Sequence, residues 1–76
     1  MPDAVIASLY GPLDDLTRAV QQQLPILRAM QQDASLLPHA ASFLARVGEA
    51  LVIAHRQERL LSEMRRRLAW VDEPPT

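Results

Sequence analysis

The stretch Leu13-Asp14-Asp15-Leu16-Thr17-Arg18-Ala19-Val20-Gln21-Gln22-Gln23-Leu24-Pro25-Ile26-Leu27-Arg28-Ala29-Met30 decides the fold class. Its apolar residues Leu13, Leu16, Val20, Leu24, Leu27 and Met30 recur at steps of three and four, the period of one helix face. They fit a heptad seam in which Gln23 is the one polar interruption. Pro25 cannot donate a hydrogen bond to the carbonyl of Gln21, and its ring crowds that turn, so the pattern predicts a kink there. The stripe keeps its phase on both sides, and the helix is expected to resume to about Gln32.

Upstream of this stretch, Gly11-Pro12 follows a short apolar segment, Ala4 to Tyr10. Proline suits the first position of a helix, where its missing amide hydrogen costs nothing. Asp14 and Asp15 would then sit in the first turn, at the positive end of the helix dipole. The chain is therefore divided into a lead-in (residues 1–11), a helical hairpin (12–71) and a disordered tail (72–76) that Pro74-Pro75 keeps out of the helix.

Downstream, Asp33-Ala34-Ser35 makes a short polar connection and Pro38 marks a second helix start. A connection this short favours an antiparallel neighbour. The second helix carries Phe43, Leu44, Val47, Leu51, Ala54 and Leu61 and continues through Met64, Leu68 and Val71. The small residues Ala45, Gly48 and Ala50 suggest close helix approach, and Arg59, Glu63 and Arg67 stand four residues apart as they do on exposed helix surface. The fold class is thus an all-α, antiparallel two-helix hairpin with a longer second helix. Leu16, Val20 and Leu27 are expected to meet Leu44, Val47 and Leu51 in its seam.

Length then becomes an argument about partners. At 1.5 Å per residue the first helix spans about 30 Å and the second about 50 Å, so the second overhangs. Either residues 4–10 fold back over the overhang, or Leu60, Leu61, Met64, Leu68, Trp70 and Val71 form a partner-binding surface. With 49% hydrophobic residues in 76, the chain has more apolar side chains than one seam can bury; Ile26, Val52, Ile53 and Leu60 fall outside it. A partner protein or a second copy is expected to complete the bundle.

The remaining composition mostly excludes. Without cysteine there is no disulfide framework and no cysteine-based zinc site. Eight arginines against nine acidic residues give a net charge of −1, so no overall field draws the chain to nucleic acid. Arg65-Arg66-Arg67 is the one basic cluster, a candidate for phosphate or acidic-partner contacts. It also reads as three cations complementing the negative end of a helix dipole. His55 and Glu58 share a helix face three residues apart, but no matching carboxylates stand at that depth in the first helix, and His39 reads as an exposed or capping side chain. No Ser, His and acid set and no glycine-rich phosphate loop is present, so no enzyme, metal or cofactor is expected. No apolar run reaches membrane-spanning length and the N-terminus lacks a signal-peptide pattern, which makes the cytoplasm the expected address.

On the stripe Leu13, Leu16, Val20 and Leu27, on Pro38, and on Phe43-Leu44 followed by Ala50-Leu51, residues 13–54 resemble the small E-type co-chaperones of bacterial type III secretion needle subunits. The resemblance implies a cytoplasmic hairpin that packs on a helical-repeat chaperone and helps keep the needle subunit monomeric. Pro25 and the run of the second helix through Arg65-Arg66-Arg67 depart from that pattern. The expected function is a small helical adaptor or co-chaperone. Its alternatives are a homodimeric four-helix-bundle regulator that touches nucleic acid through its arginines, or an assembly subunit of a larger particle.

Overall fold

The computed structural model describes residues 2–73 and contains two helices, α1 (Pro2–Ala34) and α2 (Ala41–Asp72). Residues early in α1 lie beside residues late in α2, as in the pairing of Asp14 with Arg65, so the helices are antiparallel. The molecule is a rod of 59 × 20 × 13 Å.

Helix α1 begins ten residues before the proline that the sequence marks as its start, and it runs through both Pro12 and Pro25 without interruption. Two physical reasons account for the longer helix. The clash that disfavours helical backbone before a proline involves the preceding residue's Cβ, and Gly11 has none. Ile6 stands seven residues before Leu13 and buries itself to 7% exposure, so packing on α2 stabilises the extra turns. Asp14 and Asp15 are accordingly mid-helix residues. The carbonyls of Ser8 and Gln21, which lose their proline donors, belong to exposed residues where water can satisfy them.

This extension removes the anticipated overhang. The helices have 33 and 32 residues, each about 50 Å long. Residues 4–10 neither fold back nor leave the end of α2 bare; they continue α1 alongside it.

The connection differs from expectation as well. Pro38 is not the first helical residue: His39 adopts a left-handed backbone, with φ 61°, and α2 starts at Ala41. Histidine is among the residues enriched in that conformation. No side chain caps α2, so His39 is exposed but not a cap. The amides of Leu36 and Leu37 donate to the carbonyls of Asp33 and Ala34, at 3.2 and 3.1 Å, and close the end of α1. At the other end the amide of Glu73 donates to Ala69, 2.8 Å away, while residues 74–76 of the expected disordered tail lie outside the described residues.

The seam follows a strict heptad. In α1, Ile6, Leu13, Val20, Leu27 and Ala34 alternate with Tyr10, Thr17 and Leu24; in α2, Val47, Ala54, Leu61 and Leu68 alternate with Leu44, Leu51, Glu58 and Arg65. Val20 is the most enclosed, at 2% exposure. The expected seam residues Val20, Leu27, Leu44, Val47 and Leu51 are buried or half-buried, but Leu16 is not and stands 48% exposed.

Polar chemistry explains the shift. A seam through Leu16 repeats at Gln23 and would bury its amide, whereas one through Thr17 buries a hydroxyl that donates to the carbonyl of Leu13 in its own helix, at 2.9 Å. Helix α2 is unbroken at Gly48, and a methyl added there would meet nothing within 4 Å, so the small residues of its first half do not mark a close approach at that glycine.

Candidate interaction surface

A second stripe lies one residue behind the seam on each helix. In α1 it is Val5, Leu9, Pro12, Leu16, Ala19, Gln23, Ile26 and Met30, each immediately before a seam residue or a seam position. In α2 it is Phe43, Arg46, Ala50, Ile53, Gln57, Leu60, Met64 and Arg67, followed by Val71. One residue is 100° of rotation, so on each helix the second stripe faces roughly at right angles to the seam.

Because the helices are antiparallel, a step toward the N-terminus turns both stripes to the same side of the hairpin. Leu9, Pro12 and Leu16 of α1 accordingly line one groove with Leu60, Met64 and Val71 of α2, enclosing about 640 Å³. Farther along, Gln23 and Ile26 share a depression with Ala50, Ile53 and Gln57. The stripe recurs along the length of the rod with Gln23, Gln57, Arg46 and Arg67 among its members, and its large apolar side chains stand between 40% and 66% exposed.

The opposite face is polar. Thr17 and Gln21 border a depression with Glu58, Arg59, Ser62 and Arg66. Arg65 sits on the seam's edge toward this side, where it pairs with Asp14 and lies over the Tyr10 ring, 5.4 Å from its centre. Arg67 turns the other way and meets Glu63 at 3.3 Å. Three consecutive arginines thus point in three directions: one is tied to α1, one to its own helix, and only Arg66 has no ion-pair partner among the described residues.

The six residues expected to bind a partner divide in the same manner. Leu60, Met64 and Val71 lie on the apolar face. Leu61 is buried in the seam at 4% exposure and is unavailable to a partner, and Leu68 is half-buried beside it. Trp70 is 65% exposed and stands apart from the groove, on the outer side of α2 with Arg66 and Arg67. The expected surface lies on α2 alone, whereas Leu9, Pro12 and Leu16 of α1 line the groove from the other side and Val5 stands exposed one turn before Leu9. The signal for the α1 side is the recurrence of apolar residues one position before each seam residue.

Among the described residues no three His, Asp or Glu side chains gather as a metal site, and no buried side-chain polar atom lacks a hydrogen-bond partner. His55 and Glu58 are each half-buried. No described helix is long and apolar enough to cross a membrane. Compared with family models, curated proteins and solved structures, the chain matches none.

Proposed function

We propose that this chain is a non-catalytic helical adaptor, acting in the cytoplasm, whose apolar face is completed by helices of a protein partner. The single observation that carries this reading is the pair of second stripes, turned to one side of the hairpin and left open along its whole length. Helices in a four-membered bundle each contact two neighbours about a right angle apart, and each helix here has two apolar stripes in that relation while one is filled. A co-chaperone for a secreted helical subunit, the role that the sequence resemblance implies, is one form such an adaptor would take. Nucleic acid suits this surface poorly: phosphate binding needs several free cations on one face, and the arginines of the apolar face, Arg46 and Arg67, are each held by a glutamate of their own helix.

The test is a complex isolated from the native cell. Glutamates at Leu16 and Leu60 together should release the chain from it, while Arg59→Ala with Arg66→Ala, on the polar face, should not. The reverse outcome would sink the proposal.

A further inference from the structure

We infer that the occupant of the apolar face is a second copy of this chain, packed about a two-fold axis parallel to the helices, so that α1 of each copy lies against α2 of the other. This rests on the reading of the face as a protein-binding surface and names its partner.

The accessible surface supplies the first argument. A compact monomer of 8.5 kDa exposes about 4,650 Å², whereas this chain exposes 6053 Å². Its radius of gyration is 17.5 Å, where about 11 Å is ordinary for 76 residues. The excess is about 1,400 Å² per chain, within the roughly 1,000–2,500 Å² that each partner buries in an obligate homodimer.

The polar positions inside the face supply the second. Gln23 and Gln57 interrupt it at the same level and border the same depression. An amide both donates and accepts, so it complements an identical amide, as a charge does not. Stacking a second hairpin with its axis parallel to the first sets each Gln57 opposite a Gln23 of the other copy. The result is an uncharged polar layer that fixes register between the apolar stretches of the interface, apart from the arginines Arg46 and Arg67 nearer its ends.

Charge at the rim decides between the two possible axes. Residues of α1 and α2 at one level have numbers that sum to about 79, as Asp14 with Arg65 and Ile26 with Ile53 indicate. Asp33, in the second stripe's repeat, is therefore level with Arg46, whose guanidinium holds Glu49 of its own helix at 3.1 Å; the parallel axis places each Arg46 beside the other copy's Asp33 as a second carboxylate. An axis perpendicular to the helices would instead pair α2 with α2 and, at full overlap, bring Arg46 level with Arg67, two arginines each already held by a glutamate of its own helix, with Asp33 left apart from both.

Sedimentation equilibrium of the purified chain should give twice the 8.5 kDa chain mass at micromolar concentration, with helicity falling as dilution dissociates it. Leu16→Glu with Leu60→Glu should weaken the dimer at least about a hundredfold. The chain has no cysteine, so Ser35→Cys accepts a single spin label in the connection. The parallel axis puts both connections at one end, with label separations below about 30 Å, and the perpendicular axis puts them about 50 Å apart. A long separation overturns the arrangement. A helical monomer at high micromolar concentration, with the native complex still broken by the two glutamates, overturns the second copy and leaves the adaptor reading standing. A dimer indifferent to both glutamates overturns both.

Discussion

The seam and the second stripe are made of the same residue types at the same spacing, one residue apart, yet one is filled and the other is open. The difference lies in what each would have to bury. The seam's polar groups have outlets: the Thr17 hydroxyl bonds to its own helix, the Arg65 guanidinium reaches Asp14 and Tyr10 at the edge, and the half-buried Glu58 borders the polar depression. The second stripe holds Gln23 and Gln57, whose amides need partners that a single hairpin does not offer. Apolar content sets how much surface a helix is able to bury. The few polar residues among the apolar ones set the order in which surfaces are buried, and against what.

The largest effect should come from breaking the filled side. Leu61→Ala should cost about 2–4 kcal/mol by leaving a cavity in the buried cluster it shares with Leu13, Val20, Leu24 and Ala54, read from chemical denaturation followed by circular dichroism. A loss below about 1 kcal/mol would mean that the seam is not the core. Its neighbour across the comparison is Leu60→Ala. In the dissociated chain at low concentration it should change stability by under about 0.5 kcal/mol, because the side chain is half exposed there, and a loss comparable to that of Leu61→Ala would erase the distinction between the stripes.

Smaller changes sharpen the picture. Gly48→Ala should stabilise the hairpin by about 0.5–1 kcal/mol, since the methyl meets open space and the helix loses a flexible residue; a destabilisation would reveal an approach to Gly48 that the geometry lacks. Asp14→Asn should cost about 0.5–1 kcal/mol, and the cost should shrink in 1 M salt, because the pair with Arg65 is about half exposed. Last, Arg59→Ala and Arg66→Ala on the polar face should each stay within about 0.5 kcal/mol of the parent.

Much of this was legible in the sequence, and the exceptions share a cause. Periodicity identifies two helices and the antiparallel turn between them, and it places Val20, Val47 and Leu51 toward the seam. It does not choose between Leu16 and Thr17, because steps of three and of four from Leu13 are equally helical; the choice was settled by which polar residue is able to satisfy itself. Gly11-Pro12 reads locally as a start signal, and the missing Cβ of Gly11 together with the burial of Ile6 carries the helix past it. His39 illustrates the same limit at the connection, where Pro38 suggests a first helical residue and the backbone turns left-handed one step later.

The two prolines of α1 have a mechanical consequence. Each removes one rung of the backbone ladder, at Ser8 and at Gln21, whereas α2 keeps all of its rungs from Ala41 to Asp72. The rod is therefore one stiff member braced against a member with two joints. The segment before Pro12 holds on by Ile6 and by Tyr10 beneath Arg65, so it detaches as a unit at lower cost than the middle of α2, where Ala54 and Leu61 are buried. Fluctuations that open the hairpin start at that end and stop at the joint, leaving Leu13 to Leu24 closed over Leu61.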